Sequence, residues 1–319
     1  MSTKLHISMY HYVRDLKNSR FPNIKGLDYQ SFKEQIEFFK KNFNFITMEE
    51  VIAAYTQSYS LPENALLLTF DDGYIDHYIS VFPILKEHNI QGSFFVSGKT
   101  FTEHTLLDVN KIHYIIAVSD IQTLLCDLFS RMNYYRGQEY DFPSNEELYH
   151  EYAVANRFDC CDVIFIKRIL QTVLPERLRS KIASELFEKY VATKEEIFAR
   201  ELYLNYDQMK LMKKSGMYFG IHGYDHYWMN RLKEQELKLD ISKAIDCMSE
   251  LIDANNWVIN YPYGAYSEEV ITHVKSKGAV LGLSTDVNIA DLSICNPHKL
   301  PRFDTNDFPP QSNRYMDFK

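Results

Sequence analysis

The run Ala65-Leu66-Leu67-Leu68-Thr69-Phe70 ends abruptly in Asp71-Asp72-Gly73, and this junction constrains the fold more than any other stretch of the chain. A run this apolar, without polar alternation, reads as a strand covered on both faces, the habit of parallel sheets in α/β proteins. Such folds bind ligands at the carboxyl ends of their strands, where Asp71 and Asp72 fall. Adjacent carboxylates repel, and burial raises that cost, so a cation or a shared proton is expected beside them. The plainer role for the same residues is an Asp-Gly turn closing a strand ahead of a capped helix over residues 74–88.

Two later segments bear on that choice. Gly220-Ile221-His222-Gly223-Tyr224-Asp225-His226 sets two imidazoles four residues apart after a short apolar stretch. Histidine and carboxylate together form the ligand set of a hydrolytic zinc site, which uses three protein ligands and leaves one position open for water. An isolated pair of histidines would more often be structural. Asn260-Tyr261-Pro262-Tyr263-Gly264 follows another apolar run. Pro262 restricts the backbone and Gly264 permits a sharp turn, so the Tyr263 peptide N–H can be held in one direction, as an oxyanion donor must be.

In this order, Thr-Phe-Asp-Asp-Gly, His-x-x-x-His and Pro-Tyr-Gly resemble the polysaccharide deacetylase family, also called the NodB-homology or carbohydrate esterase 4 domain. The opening Tyr10-His11-Tyr12-Val13 resembles the Tyr-His-x-Val strand of a circularly permuted branch of that family. The resemblance implies an α/β fold, a distorted (β/α)7-type barrel. It implies Asp71 as catalytic base, with Asp72, His222 and His226 holding Zn2+ or another divalent metal. It also implies the Tyr263 backbone N–H as oxyanion donor and His11 as the general acid, with His298 second in line. Two departures from the pattern stand out. Gly223 replaces the Ser or Thr usual after the first histidine, and Ile259 and Asn260 stand where many members have an arginine. Arg302, in Lys299-Leu300-Pro301-Arg302-Phe303-Asp304, is the candidate to orient Asp71 instead; its plainer role is a surface arginine in a C-terminal loop.

Composition excludes several classes. With 319 residues and 45% hydrophobic content, the chain can bury a full core. A formal charge of −8 argues against a nucleic-acid partner, since such proteins concentrate Lys and Arg on one face. No basic segment followed by an apolar core opens the sequence, and no run approaches a membrane span, so the expectation is a cytoplasmic protein. Cys126, Cys160, Cys161, Cys247 and Cys295 are odd in number and lack metal-type spacing, which suits free thiols.

Along the chain, helical spacing over residues 29–42 and a capping box at Thr47 and Glu50 precede the Asp-Asp strand, and a strand over 91–96 follows it. This alternation predicts parallel pairing. Residues from about 101 to 203 carry long amphipathic stretches, such as 164–173 and 177–190, and no obvious strand. They read as a mostly helical insertion on the carboxyl rim of the barrel, within a single domain spanning 1–319. Tyr134, Tyr135, Tyr140 and Phe142 suit either sugar stacking or core packing.

The function expected from the resemblance is removal of an N-acetyl group from an amino sugar, in bacterial surface-polysaccharide biosynthesis. The implied partner is an amino-sugar substrate, whether nucleotide-linked, lipid-linked or an oligosaccharide. A deformylase of a formamido sugar would use the same residues, and a non-catalytic carbohydrate-binding relative would lack turnover.

Overall fold

The computed structural model describes residues 3–57 and 59–318. Its backbone divides into two compact units. One holds the chain up to Asp15, Gly26–Thr105 and everything from Arg200 onward; the other holds Leu16–Lys25 and Leu106–Ala199.

The strands lie in the first unit: β1 Lys4–Tyr10, β2 Val13–Arg14, β3 Leu27–Asp28, β4 Asn44–Phe45, β5 Ala65–Phe70, β6 Ser93–Val96, β7 Tyr218–Ile221, β8 Trp257–Asn260, β9 Ala279–Leu283, β10 Ala290–Asp291 and β11 Phe303–Asp304. The principal path runs β1-β5-β6-β7-β8-β9, every pairing parallel. The path then returns on itself. Leu300 bridges in parallel to Leu283 at the end of β9, and β11, three residues on, pairs in parallel with β1. Residues 300–304 therefore act as a seventh staff that joins the last strand to the first, which is the (β/α)7-type barrel.

Every residue of β5 is buried, and alternate ones enter different cores. Leu66, Leu68 and Phe70 pack beneath the helices with Phe94, Ile221 and Trp257. Ala65 and Leu67 point the other way, toward Ile7, Phe95, Val258 and Leu283. Two apolar faces on one strand are what the unalternating run required. The covering helices begin where their caps dictate: Asp28 accepts from the Gln30 N–H at the start of Tyr29–Asn42, and Thr47 and Glu50 form a complete capping box before Met48–Thr56. The helix after Gly73 is less regular than its spacing predicts, because His77–Val81 winds as a π-helical turn before Phe82–Glu87.

The second unit is mostly helical, with an isolated bridge between Arg136 and Tyr140. Asp108–Val118, Ile121–Tyr135, Asn145–Tyr152, Cys161–Arg168 and Glu176–Val191 surround a core that includes Ile115, Leu128, Phe165, Ile182 and Phe187, all buried. Lys111 is buried in it, its ammonium paired with Asp108 at 3.0 Å and Glu195 at 2.8 Å. Leu16–Lys25, part of a stretch the sequence presents only as a polar loop, belongs to this unit: Phe21 packs edge-on against Tyr114 and Phe198. All five cysteines are free thiols, and among the described residues no helix is long and apolar enough to cross a membrane.

Candidate active site

Strand register alone assembles the site. Tyr10 pairs with Phe70, so the residues that follow β1 and β5, His11 and Asp71, emerge side by side. Ile221 pairs with Ile259, which brings His222 up beside Asn260 at the next junction. All sit at the carboxyl end of the parallel sheet, and Arg302 joins them from the closing segment.

Asp71 is buried, and so is Arg302, which is fully inaccessible. The two form a bidentate pair, Nη1 to Oδ1 and Nη2 to Oδ2, both at 2.8 Å. Arg302 also donates from Nε to the Ser284 carbonyl (2.8 Å), from Nη1 to Thr69 Oγ1 (3.1 Å) and from Nη2 to Asn260 Oδ1 (2.9 Å). These five bonds use all five guanidinium N–H donors, the condition under which a buried arginine is tolerated. Asn260 Nδ2 donates a further bond to Asp71 Oδ1 at 2.6 Å. Burial alone would raise the pKa of Asp71, but the charge and hydrogen bonds of Arg302 outweigh it and hold the carboxyl at about 2. The donors are unevenly shared. Oδ1 receives two and Oδ2 one, so the available lone pair is on Oδ2, which His11 Nε2 faces at 3.8 Å.

Asp72 is surrounded differently. Its Oδ1 lies 3.2 Å from Nε2 of His222 and 3.2 Å from Nε2 of His226, and all three residues are buried. His222 donates from Nδ1 to the Asn260 carbonyl at 2.7 Å, so a neutral ring turns the lone pair of Nε2 toward the carboxylate. Asp72 Oδ1 is buried and receives no hydrogen bond. Two imidazole nitrogens this close to a carboxylate oxygen that accepts no hydrogen bond suit a cation among them. Three donor atoms, one from each residue, lie within 4.8 Å of one another, and the two separations of 3.2 Å are close to the roughly 3.4 Å between ligands of a tetrahedral zinc ion. The donor set therefore fits a divalent metal with borderline-soft preferences, as two imidazoles and a carboxylate select.

The loops that carry these groups are strained, and the surroundings hold them. Asp72, His226 and Tyr263 adopt positive φ angles of 71°, 56° and 59°, a region in which non-glycine residues cost about 1 kcal/mol or more each. Gly73 must be glycine, since a Cβ there would stand 2.7 Å from Val96 Cγ1. Gly223, the departure noted in the sequence, has φ of 71°, where a Ser or Thr side chain would be strained. The His222–His226 loop is pinned from two sides. Ser97 Oγ donates to the His222 carbonyl at 2.9 Å, and buried Asp240 accepts from the N–H groups of Tyr224 (3.0 Å) and Asp225 (2.9 Å).

The Tyr263 ring meets that of His226 edge-on at 4.7 Å and stacks on Trp228 at 4.4 Å. His298 is buried on the segment leading to Leu300 and makes no hydrogen bond, ion pair or ring contact with Asp71, Asp72, His222 or His226. Tyr134, Tyr135, Tyr140 and Phe142 all belong to the helical unit, where Tyr135 is buried and Tyr134 exposed. Sequence reasoning missed Asn260 as a participant, treating it as the place where an arginine was lacking. It also missed Asp240, whose only signal is an aspartate on the inward side of a helix.

The family model described as polysaccharide deacetylase matches residues 58–133 and 182–281, more than half of the chain. The Bacillus subtilis (strain 168) protein YxkH is 31% identical over 98 residues, 30% of this chain and 33% of that one. The poly-β-1,6-N-acetyl-D-glucosamine N-deacetylase of Escherichia coli K12 is 31% identical over 81 residues, 25% of this chain and 12% of that one. The matched stretch thus spans a third or less of these curated relatives. Among solved structures, the Streptococcus pyogenes deacetylase PplD in complex with acetate superposes with a TM-score of 0.59 at 18% identity, covering 99% of this chain and 97% of that one; at that identity the likeness establishes the fold. The chain belongs to the polysaccharide deacetylase family.

Proposed function

We propose that this protein is a metal-dependent hydrolase that removes the N-acetyl group from an amino sugar within a polysaccharide or its precursor. The observation that carries the reading is the contrast between two adjacent buried carboxylates, one held by guanidinium and amide N–H donors and the other facing two imidazole nitrogens. The names of the Escherichia coli and Streptococcus pyogenes relatives support deacetylation, and the former supports β-linked N-acetylglucosamine as the first substrate to try.

Asp72, His222 and His226 would hold the metal, and a divalent cation there supplies Lewis acidity toward water and an acyl oxygen. Asp71, kept ionised by Arg302, accepts the proton of the attacking water at Oδ2. Arg302 and Asn260 fix the plane of that carboxylate, at some cost in basicity. The Tyr263 peptide N–H, on a turn held left-handed between Pro262 and Gly264, serves the developing oxyanion. His11, half-exposed beside Asp71 and tied through its carbonyl to His77 Nε2 at 2.9 Å, gives a proton to the leaving amine as the C–N bond breaks. Water and amide are thereby converted to acetate and amine.

The test is acetate release from N-acetylglucosamine oligomers by protein loaded with zinc. The expected result is turnover that a chelator abolishes and zinc restores. His11→Ala should lower turnover by about 10²-fold or more with the zinc content unchanged. Formate from a formylated sugar without any acetate would reassign the acyl group, and release of neither acid by the metal-loaded protein would sink the proposal.

A further inference from the structure

Tyr74 lies two residues beyond Asp72 and is completely buried. Its hydroxyl donates to Asp72 Oδ2 at 2.5 Å. The ring has little freedom to aim elsewhere. It stacks on Tyr12 with centroids 4.0 Å apart, and on Tyr203 at 6.1 Å, whose backbone forms an antiparallel bridge with that of Tyr74. The Leu204 N–H donates to the Gly73 carbonyl at 2.8 Å, fastening the same turn. On the outer side of Tyr12, the Arg14 guanidinium lies over the ring at 4.8 Å and pairs with buried Asp76 at 2.8 Å. The left-handed turn at Asp72 and Gly73 is thus backed by an ordered aromatic stack in which the Tyr74 hydroxyl ends on the carboxylate.

The two oxygens of Asp72 therefore differ. Oδ2 is occupied by a phenol, while Oδ1 receives no hydrogen bond and stands 3.2 Å from both imidazole nitrogens. A carboxylate free at both oxygens can bind a cation through one or both. One already bonded through Oδ2 presents Oδ1 as the less encumbered oxygen, and hydrogen bonds of this outer kind orient metal ligands and set their affinity. A hydrolytic centre also needs a coordination position left open, which a carboxylate binding through both oxygens would tend to fill.

We propose that Tyr74 is a positioning residue for the metal centre: its hydroxyl engages Oδ2 of Asp72 and presents Oδ1 to the imidazoles, which would favour binding of the metal through Oδ1 and help keep a coordination position open. This rests on the reading of Asp72, His222 and His226 as the metal ligands.

The variant is Tyr74→Phe, which keeps the ring and its stack on Tyr12 and removes only the hydroxyl. Two readouts apply to the full chain: zinc affinity by competition with a chromophoric chelator, and the visible absorption of the cobalt(II)-loaded protein. The expected result is zinc affinity about tenfold weaker. The cobalt spectrum should lose intensity, as four-coordinate cobalt does on gaining a ligand. A far-UV circular dichroism spectrum matching that of the unsubstituted protein verifies the fold, and 3-fluorotyrosine at position 74, which retains the hydroxyl, should restore both readouts. Unchanged affinity and an unchanged spectrum in Tyr74→Phe, with zinc bound normally by the unsubstituted protein, would overturn the role of Tyr74 alone. Failure of the unsubstituted protein to bind zinc would overturn the metal centre itself, and this inference with it.

Discussion

Asp71 and Asp72 are consecutive in the chain and equally buried, yet they stand in opposite environments. Around Asp71 the donors are fixed and sufficient: a bidentate guanidinium and an amide satisfy it within the protein. Around Asp72 a phenol satisfies one oxygen, and the other is left facing two imidazole nitrogens. The left-handed turn at Asp72 and Gly73 separates them by sending the two side chains in different directions. A motif of two like residues can therefore occupy two unlike environments, because the fold rather than the motif decides what surrounds each carboxylate.

Exchanging the two roles by mutation should have the largest effect. Asp72→Ala is expected to lose both zinc and turnover, whereas Asp71→Asn should keep zinc and lose turnover by about 10²- to 10⁴-fold, the worth of a general base. Metal content by atomic emission alongside acetate release checks both. Zinc lost equally from the two variants would erase the distinction between the carboxylates.

Removing the partner of Asp71 comes next. Arg302→Met leaves a buried carboxylate without its cation, and breaking such a pair costs about 3–5 kcal/mol. Chemical denaturation should show that loss, and turnover should fall with zinc still bound. A variant as stable as the unsubstituted protein would show that the bond from Asn260 suffices for Asp71.

The smallest effect concerns pH. His77, buried under the same turn, is held down to about 4 chiefly by burial, opposed in part by its bond to the His11 carbonyl. A histidine whose pKa is depressed in the folded state is protonated first in the unfolded chain. Its contribution is thus intact above about 6.5 and is lost as pH falls toward 4. Stability should decline by about 1.4 kcal/mol per pH unit per such histidine below 6.5. His298, also held at about 4 by burial, acts in the same direction. Asp71, held at about 2, is not protonated over that window. In denaturation series from pH 7 to 4, His77→Gln should flatten the slope by one proton; an unaltered slope would remove His77 from the account.

Much of this was legible because it is local. The unalternating run into Asp71, the histidines four residues apart and the Pro-Tyr-Gly turn each sit at a strand end that the sequence announces. The capping box at Thr47 and Glu50 was legible for the same reason: its hydrogen bonds join residues three apart. Asn260 was not, because its bonds to Asp71 and Arg302 cross 189 and 42 residues, and no periodicity reports a contact of that kind. The membership of Leu16–Lys25 in the helical unit was hidden likewise, since its anchors, Tyr114 and Phe198, lie far along the chain.

The sequence by itself determined the strands, the parallel sheet they imply and which side chains stand at their carboxyl ends, because hydrophobic period and turn chemistry act over a few residues. Only the tertiary structure decided what surrounds each of those side chains. It took the closing segment at residues 300–304 to bury Arg302 against Asp71, and the stack on Tyr12 to aim the Tyr74 hydroxyl at Asp72. Charge compensation and hydrogen-bond direction depend on distance in space, and that distance exists only once β1, β5 and β9 have been brought around to meet.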